Sequence, residues 1–371
     1  MKLLRVCAAA LVAALSLCAS ASYAQIIPFD TDRWEMDANE VRVEDYLGRQ
    51  SLTLRGGAAW IKDSDFTDGV IEFDIAFSGE RGFMGGIWRR QDQRNYEEFY
   101  MRPHQSGKPD ANQYTPVING VSGWQLYHGA GYGAPVVYSF DQWMHVKIVV
   151  SGSQGEVYID SEEPVLVMHE LKRAVQSGKV GVSAGNFATA HFSNFSYQPM
   201  DRPTLKGQPP EQQPAPEGAV MTWSVSSAFD EAGLADKVEL TEANRQGLTW
   251  TTLAAEATGI TNLARVQGLD NGKNTAFARI TIESDRAQIK TVRFGYSDRV
   301  KVYLNGRLLY SGSNQYQSRD FRYLGTIGLF DELYLPLKQG ANELWFAVSE
   351  SFGGWGILGM MADRQGITLD P

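Results

Sequence analysis

Between Trp34 and Tyr197, apolar and polar residues alternate in short runs at 51–54, 70–77, 146–150, 156–159 and 180–182, parted by Gly, Asp, Asn and Ser. A period of two puts alternate side chains on opposite faces of a strand, so this half predicts many short antiparallel strands. Only residues 165–177 have a spacing that suits a short helix. Further strands are predicted at 276–282, 289–296 and 300–304. Asn305-Gly306, between Val302-Tyr303-Leu304 and Leu308-Leu309-Tyr310, predicts a two-residue hairpin turn, because both turn residues must take positive φ. The two halves are parted by a stretch holding Pro199, Pro203, Pro209, Pro210, Pro214 and Pro216, which reads as an extended, semi-stiff linker. The expected fold is all-β. Two β-sandwich (jelly-roll) domains, 25–198 and 219–371, are joined by the Pro-rich linker 199–218. The pattern between 221 and 269 predicts no definite elements, and no repeat relates the halves.

One run carries more chemistry than the others. In Asn95-Tyr96-Glu97-Glu98-Phe99-Tyr100-Met101-Arg102-Pro103-His104, Phe99 and Met101 alternate with Tyr96, Glu98, Tyr100 and Arg102. If the first pair faces a core, the opposite face carries an acid, a guanidinium and two phenols, with His104 just beyond. A second line is predicted at 124–128, with Trp124 and Leu126 on one side, Gln125 and Tyr127 on the other, then His128. Two such strands side by side make a wet, aromatic, hydrogen-bonding surface. That surface suits a sugar, which has hydroxyl edges and apolar C–H faces. An ordinary solvated sheet face has the same alternation. Arg89 or Arg90 is expected near this surface; a bulge at Gly85-Gly86 would decide which one points to it. The polar loop 105–114 would form a rim.

Composition narrows the setting. Residues 1–24 read as a secretory signal: Lys2 and Arg5, an apolar run from Val6 to Leu17, then Ser22-Tyr23-Ala24. Export to a periplasm or beyond the cell is therefore expected. The apolar run is too short for a membrane span, and no later run is long enough. A lipoprotein signal around Cys18 fits less well, because Leu17 stands where such signals use a small residue. The only two cysteines, Cys7 and Cys18, fall inside this leader, so no disulfide, thiolate metal site or cysteine nucleophile is expected after it. The net charge is −9, and removing Lys2 and Arg5 makes it more negative. Without a basic block, nucleic acid is a poor partner.

Several motifs carry a family resemblance. The run Phe66-Thr67-Asp68-Gly69-Val70-Ile71-Glu72-Phe73-Asp74, Asp92-x-x-Asn95-Tyr96, Trp143-x-x-Val146-Lys147-Ile148 and Val157-Tyr158-Ile159-Asp160 resemble concanavalin-A-like jelly rolls, including laminin-G-type modules. So do Gly178-Lys179-Val180-Gly181 and Phe192-Ser193-Asn194-Phe195. The same pattern looks like the sandwich domain of 3-keto-disaccharide hydrolases and lyases. Downstream, Leu335-Pro336-Leu337-Lys338-Gln339-Gly340-Ala341-Asn342-Glu343-Leu344 and Gly353-Gly354-Trp355-Gly356 resemble galactose-binding-like jelly rolls. These resemblances imply carbohydrate recognition, but the first fold hosts lectins, glycosidases, lyases and adhesion modules alike.

Candidate chemistry follows from these pieces. Jelly-roll β-glucanases need a nucleophile and an acid/base on one strand face. In Glu72-Phe73-Asp74-Ile75-Ala76-Phe77 the last acid is missing, so a retaining glycosidase of that type is disfavoured, and Glu72 and Asp74 read as partners of neighbouring strands. Asp63, Asp65 and Asp68 have the acid density of a calcium loop, with the third acid one residue late for an EF-hand. A structural calcium there is the one cofactor expected; a turn capped by Asx side chains is the alternative. No two of the five histidines have a zinc-ligand spacing. His145 and His191 read as structural, whereas His104 and His128 flank the proposed groove. Trp355, Tyr310, Tyr316 and Tyr323 read either as sugar-stacking aromatics of the second half or as core.

The expected function is recognition of an oligo- or polysaccharide by Tyr96, Tyr100, Arg102, Gln125, Tyr127 and Arg89, with Glu98, His104 and His128 beside them. The competing expectation, implied by the 3-keto-disaccharide hydrolase resemblance, is an enzyme. A base among Glu97, Glu98, His104 and His128 would remove the proton next to a C3 ketone, and Arg102 or a metal would stabilise the enolate. A non-catalytic adhesion or envelope module needs no groove chemistry. Oligomeric state is left open.

Overall fold

The computed structural model describes residues 25–320 and 322–371. The signal-sequence expectation, with both cysteines, lies outside the described residues. The chain is all-β, with a few single-turn 3-10 helices.

The first half holds β1 (Trp34–Tyr46), β2 (Arg49–Ile61), β3 (Gly69–Ala76), β4 (Met84–Asp92), β5 (Asn95–Met101) and β6 (Asn112–Ile118). It continues with β7 (Val121–Ser122), β8 (Met144–Ser151), β9 (Gln154–Ile159), β10 (Leu166–Met168), β11 (Lys179–Ala184) and β12 (Ala190–Pro199). All are hydrogen-bonded into one curled antiparallel sheet. Its curl has a local cause in β2. Leu52–Leu54 pair with β12, whereas the end of the strand, from Gly57 to Trp60, pairs with β11. The long β1–β2 hairpin therefore belongs to two layers, one running out through β12, β3, β8, β9 and β10, the other through β11, β4, β5, β6 and β7. The layers meet face to face: a Cβ added to Gly86 of β4 would come within 2.8 Å of Ile148 Cδ1 on β8. Phe73, Val146, Ile148 and Phe192 of one layer pack with Val182, Trp88, Phe99 and Met101 of the other in a continuous core. Burying such side chains is the main favourable term for a fold without disulfides.

Residues 165–177 do not form a helix. Leu166 and Met168 point into the core from β10, which pairs with β9, and Leu171 follows them inward. A neighbouring strand edge with unpaired backbone groups wins over local spacing.

The proline-rich stretch lies along its neighbours. Gly207 N donates to Glu156 Oε1 (2.5 Å), Lys206 Nζ donates to the Glu162 carbonyl (2.8 Å), and Ala215 N donates to the Ala257 carbonyl. Beyond it a seven-stranded and a four-stranded sheet enclose a second core, in which Val225, Ile280 and Phe346 meet Val292, Phe294 and Ile357. Asn305 and Gly306 do turn the hairpin, at φ 52° and 83°. Trp355 and Tyr296 are core residues here, and the Trp355 indole donates to the Val348 carbonyl.

The two sandwiches are joined by buried polar contacts. Tyr127 Oη donates to Glu256 Oε1 (2.5 Å), and Lys172 Nζ pairs with Glu256 Oε2 (2.9 Å). Arg265 Nη2 donates to the Lys172 carbonyl (2.8 Å). This seam positions the site.

Candidate functional site

The outer face of the layer containing β11, β4, β5 and β6 is the floor of a cleft of about 850 Å³. In β5 the alternation splits the residues: Phe99 and Met101 enter the core, while Tyr96, Glu98 and Tyr100 line the cleft. Glu97 shares the core side of β5 and is buried, accepting from Tyr114 Oη (2.7 Å) and the Arg173 N–H (3.2 Å). It takes no part in the cleft and drops out as a candidate base.

Glu98 is half-buried on the floor, and its Oε1 accepts from Ser183 Oγ of β11 (2.8 Å). Burial pushes its carboxyl above the usual carboxylate range, with only the Ser183 hydrogen bond opposing. Arg102 follows at the end of β5. Its guanidinium is buried and donates to Gln113 Oε1 (2.5 Å), Tyr100 Oη (3.1 Å) and the Asp110 carbonyl (2.9 Å). It also lies 5.0 Å from the Tyr100 ring centroid. Burial pushes the Tyr100 phenol up to about 12, so it is a hydrogen-bonding group at neutral pH rather than an acid. His104, in the 3-10 turn Pro103–Gln105, packs edge-on against Phe83. Burial first, then the Arg81 and Arg102 charges, hold it below the usual imidazole range, and its buried Nδ1 has no partner. His128 is exposed at the rim.

Arg89 and Arg90 are sorted by a bulge, placed differently from the one expected at Gly85-Gly86. The β4–β5 register shifts between Trp88 and Asp92, and Arg89 takes φ 48°. That turns Arg89 away from the cleft into the scaffold, where it is fully buried and bonds Asp68 (2.8 Å), the Thr67 carbonyl and the Gly152 carbonyl. Arg90 takes the cleft position, its guanidinium 3.7 Å above the Trp60 ring. The expectation for Arg89 is thus corrected to Arg90.

Gln125 and Tyr127 are likewise misplaced by the sequence pattern. Residues 123–127 form a turn, with Leu126 N and Tyr127 N both donating to the Gly123 carbonyl, so the strand expected at 124–128 does not form beside β5. β5 pairs instead with β4 and with β6, which supplies Gln113. The turn sends Gln125 into the second sandwich, where its backbone pairs with Gly353 and Ile327 and its side chain bonds Leu324 O (2.9 Å) and Ser297 Oγ (3.0 Å). Tyr127 is buried on Glu256 and Asn262. Trp124, expected on the core side, instead reaches the cleft and lies 5.7 Å from the Phe352 ring.

The calcium loop does not assemble. Asp63 pairs with Arg33 (3.1 Å), Asp65 accepts from Ser177, and Asp68 holds Arg89 and the Gly152 N–H. Three acids with three separate partners do not share a centre, and among the described residues no group of three His, Cys, Asp or Glu has metal-binding geometry.

Of the remaining walls, the sequence reading named only Tyr316 and Tyr323, as possible sugar-stacking aromatics. Trp60 is an aromatic in the outward phase of β2, a signal that its alternation with Ala59 and Ile61 does carry. Tyr316, Tyr323, Leu324 and Phe352 come from loops of the second sandwich, and no local pattern announces that they face the first. Phe187 and Phe83 form an apolar lip, 5.9 Å between rings, with Arg81 over Phe187 at 4.7 Å.

No protein-family model matches this chain, and no curated protein matches it. Among solved structures, the chain is similar to the carbohydrate binding module CBM66 from Bacillus subtilis at 19% identity, covering 45% of this chain and 95% of that one, with a TM-score of 0.33. It is also similar to a Bacillus licheniformis beta-glucanase at 12% identity, covering 49% of this chain and 100% of that one, with a TM-score of 0.33. A putative glycosyl hydrolase from Parabacteroides distasonis matches at 14% identity, covering 46% of this chain and 89% of that one, with a TM-score of 0.34. Likenesses this distant leave the ligand to be argued from the cleft itself.

Proposed function

We propose that this protein binds a glycan in the cleft between its two sandwiches, acting outside the cytoplasm. The observation that carries the reading is the mixture on the cleft walls. Aromatic rings of Tyr96, Trp124 and Phe352 stand among fixed hydrogen-bonding groups from Glu98, Arg102, Gln113 and Ser183. A pyranose ring needs both, one for its C–H face and one for its hydroxyls. The volume falls within the roughly 300–1,000 Å³ typical of ligand sites, enough for a short oligosaccharide. A glycan array followed by calorimetry on the best hit tests the reading. Trp124→Ala is expected to weaken binding about tenfold, on the order of 1.4 kcal/mol, while Trp143→Ala, outside the cleft, leaves it unchanged. Equal affinity for both variants, or no hit on a broad array, removes glycan binding as the role of the cleft.

Glu98 favours a second reading. A carboxyl pushed up by burial, half-buried on the cleft floor with only the Ser183 hydroxyl bonded to it, suits proton transfer. On a 3-keto glycoside its ionised form would take the C2 proton. The resulting enolate, facing Arg102, would then expel the C1 oxygen with the bonding electron pair, leaving an enone. Incubation with 3-keto-disaccharides and their unoxidised parents, followed by NMR, decides it. Product from the keto forms that disappears in Glu98→Gln makes the cleft an active site; no product leaves it a binding site.

A further inference from the structure

We propose that the glycan bound in this cleft carries an anionic group, a carboxylate or a sulfate ester, which Arg102 and Arg90 hold. The inference rests on the glycan reading above and names the substrate class.

The two guanidinium groups lack a direct counter-ion. Both are buried, and neither has a carboxylate within ion-pair distance among the described residues. Several other buried or half-buried cations do have ion-pair partners: Arg89 with Asp68, Lys172 with Glu170 and Glu256, Arg299 with Glu231. Leaving a buried charge unpaired is expensive, and a guanidinium cannot escape the cost by losing its proton. Arg90 is covered on one face by Trp60, which attracts the cation but supplies no counter-charge. Arg102 donates three hydrogen bonds, all to neutral acceptors, out of the five N–H groups that an arginine carries. Its charge is therefore held in place and not neutralised.

The acids around the cleft do not fill this role. Asp110 offers Arg102 its backbone carbonyl. Glu35, Asp92 and Asp37 act on Arg90 through space, but none lies within ion-pair distance; Asp37 is exposed and accepts from Gln93. Glu98 bonds Ser183, and its environment favours the protonated form. Arg81 adds a third cation at the lip, and the buried His104 Nδ1 beside it has no partner. In a chain with a net charge of −9, a cleft floored by two guanidinium groups without a direct ion-pair partner among the described residues is a local reversal of sign. Planar N–H donors match the oxygens of a carboxylate or a sulfate, and the low-dielectric floor strengthens that match.

The test uses uronate oligosaccharides of several sugars, each beside its methyl ester, which keeps the ring and removes the charge. Sulfated galactan oligosaccharides, with neutral galactan beside them, form the second arm. Calorimetry on the full mature chain should show at least one anionic form binding tenfold or more tighter than its neutral counterpart. That preference should shrink between 50 and 500 mM salt and be lost in Arg102→Gln. Arg90→Gln serves the same purpose if the Arg102 variant fails to fold. Preference for the uronate or for the sulfate identifies the source of the charge and supports the inference. Neutral forms that bind as well as anionic ones overturn it and leave glycan binding standing. Silence from every glycan, charged and neutral, overturns both.

Discussion

Glu98, half-buried, and His145, exposed, are both ionisable groups on the first sandwich, and their neighbours drive them in opposite directions. Glu98 has a hydroxyl for company and is pushed toward its neutral form. His145 has carboxylates: its Nδ1 lies 2.8 Å from Asp74 Oδ1 and its Nε2 lies 3.5 Å from Glu72 Oε1. Those two bonds raise the imidazole to about 9, and Asp74 is further engaged by Asn194 (2.6 Å) and Arg49. A histidine with a raised folded pKa stabilises fully below its unfolded value of about 6.5, and the stabilisation is lost as pH rises through about 9. His145→Asn should therefore lower the urea midpoint at pH 6 and leave it nearly unchanged at pH 10. Because the ring is about half exposed, screening limits the effect to about 1 kcal/mol or less. A midpoint difference that persists at pH 10 would assign the effect to packing and not to charge.

The turn at Gly123–Tyr127 and the loop at Ser351–Gly354 form the joint between the sandwiches, and Gln125 is its peg. Gly353 has φ 110°, and a Cβ there would overlap the Gln125 side chain. Gly353→Ala should destabilise the protein by about 1–3 kcal/mol, combining backbone strain with overlap. Gln125→Ala should cost a similar ~1–3 kcal/mol by stranding the Leu324 carbonyl and Ser297 hydroxyl. The double variant relieves the overlap, so its loss in denaturant melts should be less than the two single losses added together. Strict additivity would mean that the two residues do not meet. This joint also marks where sequence reasoning stops. The alternation in β5 was legible, because Phe99 and Met101 answer to a core that any period-two strand must face. Gln125 carried the same signal as a ligand-facing glutamine, since its partners, Ser297 and Leu324, lie far along the chain. Asp63, Asp65 and Asp68 are close in sequence, yet each is claimed by a different distant partner. Arg90 took the place of Arg89 because of one residue at φ 48°, a backbone choice that no alternation pattern records.

Across the whole molecule, the cleft depends on how firmly the second sandwich presents Phe352, and that presentation rests on two buried acids. Asp298 Oδ2 accepts from the N–H groups of Ser351 (2.9 Å) and Phe352 (3.1 Å), while Glu350 Oε1 accepts from Gly354 (3.1 Å). The two carboxyls thus clamp the loop whose Gly353 carbonyl receives the Gln125 N–H (2.7 Å). Both are almost fully buried, and each keeps one oxygen without a partner. Burial first, then the Asp298 charge, pushes Glu350 up to about 8; burial raises Asp298 as well. The folded protein therefore holds a proton that the unfolded chain gives up near pH 4.5, so stability falls as pH rises from there to about 8. Glu350→Gln keeps an oxygen for Gly354 and removes the second charge. Urea midpoints measured at pH 5.5 and pH 8.5 should fall more steeply for the native protein than for this variant. The indole of Trp124, in contact with Phe352, should report the same loosening by fluorescence at the higher pH. Parallel slopes for the two proteins would show that the clamp holds with both acids ionised, and the cleft would then keep its second wall across the whole range.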